Sequence, residues 1–149
     1  KSFSLLAILS ILNESIYEEA VVSGLYTSVN NLIKLINTNK NWLLSFCEWL
    51  LYFLKLLGYE IDYNNNLNLK YFNLNSLNFQ KINIDSNSIL FPHQLFTRNG
   101  VITYESVKSL FIIFETVYKK NQLNNFNNTM SLNYSNFKFL ILNELIKNK

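Results

Sequence analysis

The chain has 149 residues, enough for one ordinary domain with a sizeable core. Hydrophobic residues make up 49% of it and charged residues only 15%, which excludes a disordered polar segment. Three Gly and one Pro argue against an all-β chain rich in tight turns, and the single Cys excludes both an internal disulfide and a Cys-based zinc site. A net charge of +3 is mildly basic and compatible with a nucleic-acid surface. The 25 Asn read as a compositional bias of the sequence rather than as chemistry at each position.

Residues 3–12 carry Phe3, Leu5, Leu6, Ile8, Leu9, Ile11 and Leu12 with serines between them, which predicts a helix broken near Asn13. No signal peptide is visible; the opening Lys1-Ser2-Phe3, without Met, suggests a fragment of a longer chain. An acidic connector over residues 14–19 leads to Gly24. A second helix is predicted over residues 25–37, burying Leu25, Val29, Leu32, Ile33 and Ile36. The short loop after it, residues 37–40, predicts antiparallel packing against the next helix.

That next helix, residues 41–57, is the centre of the predicted fold. Ser45, Glu48, Tyr52 and Lys55 follow i, i+3, i+7, i+10 and form one narrow polar stripe. The rest of the cylinder is apolar, from Trp42 to Leu57, and has to be wrapped by other elements. Asn41 is placed for an N-cap and Gly58 for a left-handed C-terminal residue. A membrane span is disfavoured: the apolar run covers about 24 Å, short of the ~20 residues a bilayer needs, and it carries Glu48 and Lys55. Cys47 lies inside this helix as a buried structural thiol.

After Gly58 the period changes to two. Leu67, Leu69, Tyr71, then Leu77, Phe79, then Ile82, Ile84 predict a β-hairpin over residues 67–84 with its turn at residues 73–76. A short helix ending by Pro92 is expected within residues 86–96. Helix returns over residues 104–120, with Thr103 as N-cap and Lys119 and Lys120 at the negative end of the dipole. A polar linker over residues 122–133 precedes a last helix at 135–147 that buries Phe137, Leu140, Ile141 and Leu145. The fold class is therefore mainly α: a single helical domain, a bundle around the central helix with a small inserted hairpin subdomain at about residues 62–85.

Catalytic signals are weak, so the chain is read as a non-enzyme. His93 is the single His and nothing near it in sequence completes a dyad; no nucleophile elbow and no phosphate-cradling Gly-rich loop exist. Glu18-Glu19 is a poor metal candidate, and no cofactor is expected. The basic residues are dispersed. A solvated surface is the plainer reading. The functional one is that Lys70, Lys81, Arg98, Lys108, Lys119 and Lys120 converge as DNA contacts, with Tyr71 and Phe72 either stacking bases or packing the hairpin.

Residues 48–62, Glu-Trp-Leu-Leu-Tyr-Phe-Leu-Lys-Leu-Leu-Gly-Tyr-Glu-Ile-Asp, resemble the central helix and exit turn of the RecO family of bacterial recombination mediators. The hairpin at residues 71–79, the region around Leu25-Tyr26 and the late helix at residues 107–118 are similar to that family's helical region. The resemblance implies DNA repair by binding: single- and double-stranded DNA, a RecR-like protein and the acidic tail of a single-stranded-DNA-binding protein as partners, in the bacterial cytoplasm and on the nucleoid, with no membrane. It also implies strand annealing and recombinase loading in the RecF-type pathway. Two features depart from the family. The cysteines of its zinc knuckle are replaced by residues such as Asn64, Asn65, Leu77 and Asn78, so Leu67, Leu69, Phe79 and Ile82 are expected to hold the hairpin without metal. The family's N-terminal OB-fold has no counterpart in this chain. The alternative is a helical protein-interaction domain with no nucleic-acid role.

Overall fold

A computed structural model describes residues 1–16, 21–83, 85–123 and 129–147. Within these, five helices surround a buried centre: α1 (Ser2–Ser15), α2 (Leu25–Thr38), α3 (Trp42–Leu56), α4 (Tyr104–Gln122) and α5 (Leu132–Lys147). Between α3 and α4 lies a three-stranded antiparallel sheet of β1 (Tyr71–Asn73), β2 (Asn78–Gln80) and β3 (Ser88–Leu90), in the order β2-β1-β3, followed by a 3-10 turn, His93–Phe96.

Helix α3 is central, as its composition requires. Phe46, Cys47, Leu50, Phe53 and Leu54 are fully buried, and α2 and α4 pack on it. Helix α5 reaches it through Phe137, whose ring lies 4.7 Å from Phe46 and 6.3 Å from Trp42, while α1 packs on α5. The indole N–H of Trp49 donates to Ser28 Oγ at 3.4 Å, so the start of α2 faces the second half of α3 and the pair is antiparallel. Gly58 stands at φ +90°, with Tyr59 N–H donating to Leu54 O and Gly58 N–H to Lys55 O, a Schellman ending. The side chain of Asn41 makes no cap; Asn39 Oδ1 instead accepts the Asn41 N–H. Thr103 caps α4 as expected, in a reciprocal box with Ser106.

Several boundaries differ from expectation. Helix α1 runs through Asn13 to Ser15, because Ser15 Oγ bonds back to Ile11 O and out to the Tyr118 hydroxyl, so tertiary partners hold its last turn. The connector's Glu14 and Ser15 are thus helical, and Glu18 and Glu19 lie outside the described residues. Helix α5 begins at Leu132, and its Leu140 is exposed while Tyr134, Phe137 and Ile141 are buried. The expected short helix is a strand from Ser88 to Leu90: β1 is buried between neighbours and pairs on both sides, Phe72 with Phe79 and with Ile89. Three residues are too few for periodicity to reveal.

The sheet is held by rings rather than by the aliphatic residues expected. Leu67 and Ile82 are exposed. Phe91 instead gathers Phe79 at 4.9 Å, His93 at 4.7 Å, Tyr63 at 5.8 Å and Phe96 at 6.0 Å, and Phe79 stands edge-on to Phe72 at 5.3 Å. His93 Nε2 lies 2.9 Å from Leu69 O, so the single His belongs to this cluster.

Candidate nucleic-acid interface

Strand alternation sorts the sheet into two faces. Phe72, Phe79 and Ile89 are cross-strand neighbours on the face that meets the ring cluster. Tyr71, with Gln80 and Leu90 as its partners, therefore points the other way and is half-buried. One step beyond the pair Tyr71↔Gln80, the register leads to Lys70 and Lys81, both exposed. Two of the six expected lysines and arginines thus leave the same end of the ribbon, where the alternation carries them along the Phe72–Phe79 side and away from Tyr71. The opposite end is acidic: Asn73 Nδ2 donates to both Asp85 oxygens, at 3.3 and 3.4 Å. Phe72 is 1% exposed and belongs to the core, so it has no face for a base.

The other four basic residues are not drawn into this cluster. Arg98 is exposed in the loop after the 3-10 turn. Lys108 sits near the start of α4 with its ammonium 5.6 Å from the Tyr104 ring centre. Lys119 shares that helical face with Lys108 but lies about 16 Å further along it. Lys120 donates to Leu74 O at 2.8 Å and Asn75 O at 2.7 Å, tying the end of α4 to the β1–β2 turn. Its role is at least partly architectural.

A second feature lies between α2 and α3. The polar stripe of α3 is exposed at Glu48, Tyr52 and Lys55, and Ser45, Glu48 and Tyr52 line an open groove of about 470 Å³ with Trp49. The facing wall is Gly24, Thr27, Ser28, Asn31, Leu32 and Leu35. Partial burial pushes the Glu48 carboxyl above the usual carboxylate range. Lys55, one turn beyond Tyr52, is committed to Glu60 at 2.7 Å.

A hollow of about 410 Å³ between α1 and α2 is lined by Leu12, Val21, Val22, Leu25, Tyr26 and Val29. Neither groove sets a lysine or arginine beside an apolar wall, the feature an acidic apolar tail would need. Among the described residues no cluster of three or more His, Cys, Asp or Glu could hold a metal ion, and no helix is long and apolar enough to cross a membrane. Cys47 is fully buried, with its thiol pushed up to about 12, chiefly by burial and further by Glu48. No protein-family model, curated protein or solved structure matches the chain.

Proposed function

We propose that the chain is a DNA-binding accessory protein of repair and recombination, similar in role to the helical region of RecO-like mediators. It acts by charge neutralisation rather than by catalysis. The observation that carries this reading is the sheet end where the exposed Lys70 and Lys81 stand opposite each other at the mouth of the β1–β2 pair. Two ammonium groups can engage successive phosphates of a single strand and leave its base edges free. A surface of this kind is sequence-tolerant, as strand annealing in the RecF-type pathway requires. A RecR-like protein and a single-stranded-DNA-binding protein stay the partners this reading suggests, in the bacterial cytoplasm and on the nucleoid.

The test is fluorescence anisotropy of labelled single-stranded DNA at about 50 and about 200 mM salt. Lys70→Glu with Lys81→Glu is expected to weaken binding and to flatten the slope of log K against log salt by about 1.4, at ~0.7 per lost phosphate contact. Wild-type binding and slope in that double variant would remove the sheet end from the interface. Lys120 is a poor choice for such a test, because its ammonium also holds the fold together.

One observation favours a protein-interaction domain instead. Leu132, Phe139 and Ile146 recur every seven residues on α5 and are 75%, 65% and 50% exposed. An apolar stripe of that kind without interleaved charge suits a protein partner. The absence of DNA binding at either salt concentration would move the reading to this surface.

A further inference from the structure

The α2–α3 groove has an unusual combination of lining groups. Glu48 is the one charged side chain among its lining residues. Its carboxylate has no ion-pair partner among the described residues, since the nearby Lys55 is engaged by Glu60. Tyr52 presents 45% of its surface, while Trp49, 5% exposed and stacked on Phe53 at 5.1 Å, forms the floor with its indole N–H donated to Ser28. Leu35, 41% exposed, is the open apolar side chain on α2, and Thr27, Asn31 and Ser45 add oxygen acceptors to the lining.

We infer that this groove is a binding site for a small primary ammonium compound with an apolar body. An R–NH₃⁺ group has three N–H donors. The Glu48 carboxylate takes one with full charge complementarity, and the lining holds hydroxyl and amide oxygens on Thr27, Asn31 and Ser45 as acceptors for the others. Tyr52 supplies a ring face for the cation, and Leu35 over the Trp49 floor accepts the hydrocarbon part. The volume of about 470 Å³ falls within the range of ordinary small-ligand sites, roughly 300–1,000 Å³. An anionic ligand is disfavoured by the same carboxylate, so this site is distinct from any phosphate-contacting surface and does not depend on it.

The experiment uses the full chain, ¹⁵N-labelled, titrated with three probes that differ in one group: 2-phenylethylammonium, 2-phenylethanol and phenylacetate. The Trp49 indole N–H signal is identified by its survival in Trp42→Phe. The ammonium probe is expected to shift that signal and the backbone amides of residues 24–35 and 45–52 saturably. It should bind about fivefold more tightly than the alcohol, the scale of a half-exposed ion pair, with phenylacetate weakest. Glu48→Gln, a change of equal size on the groove wall, should bring the ammonium probe down to the alcohol's affinity with the rest of the spectrum preserved. Equal affinities for the three probes, an unaltered ammonium affinity in Glu48→Gln, shifts centred elsewhere, or no shift at all would each overturn the assignment.

Discussion

Replacing Phe91 by alanine removes the ring on which the small sheet is assembled. Phe91 is 2% exposed and lies within 6.4 Å, ring centre to ring centre, of Tyr63, Phe72, Phe79, His93 and Phe96. Truncating a buried phenylalanine costs about 3–5 kcal/mol from lost transfer free energy and the residual cavity. The upper part of that range applies here. The neighbouring rings are fixed by their own contacts and cannot collapse inward, and each lost aromatic pair is worth roughly 0.5–1.5 kcal/mol beyond its area. A loss of about 4 kcal/mol is a large share of the ~5–15 kcal/mol available to a domain. With an m-value near 2 kcal/mol/M, the urea midpoint should fall by about 2 M. The assay is urea unfolding followed by far-UV circular dichroism and by tryptophan fluorescence, with hydrogen exchange at Tyr71–Asn73 as the local readout. A loss below about 1 kcal/mol with the strand amides still protected would refute the idea that ring packing holds this subdomain. Loss of Tyr71–Asn73 protection together with the optical transitions, which report the helices and the two tryptophans of α3, would show that the sheet and the bundle unfold as one unit; earlier loss would show that the sheet melts first.

Three further predictions concern other parts of the fold. Lys120→Met keeps the aliphatic stem but removes the charge-assisted bonds to Leu74 O and Asn75 O, and should cost about 2 kcal/mol in urea unfolding; an unchanged midpoint would show the tie to be idle. Burial raises the Cys47 thiol to about 12 and the Tyr118 hydroxyl to about 12, so both remain protonated in the fold when the unfolded chain begins to ionise. Stability from these two groups is complete below about pH 9 and declines from there towards 12. Urea midpoints measured between pH 7 and 11 check this, and a midpoint that rises through that window would contradict it. On the same grounds, thiol reagents at pH 8 should label Cys47 only as fast as the protein unfolds.

Much of the architecture was legible because it rests on local periodicity. The apolar circumference of residues 42–57 could only be buried, and α3 is the core. Thr103 before an amphipathic run marked the start of α4, and Gly58 marked the end of α3. The antiparallel pairing of α2 and α3 followed from a loop too short for any other return. Less legible were features that depend on residues far apart in the chain. Strand β3 exists because it completes the second edge of β1, and its three residues carry no period of their own. The end of α1 is set by Tyr118, over a hundred residues away.

The candidate sites divide along the same line. Composition and spacing alone determined that the chain is helical, that α3 is its centre, and which basic and polar residues were available. Only the tertiary structure decided how those residues meet. Strand register brings Lys70 and Lys81 to one sheet end while Lys120 is used on backbone carbonyls. The polar stripe of α3 keeps Glu48 and Tyr52 exposed but forms one side of a groove, because α2 stands opposite it. Helical periodicity specifies which side chains share a face, but what that face meets is set by the packing of elements distant in sequence.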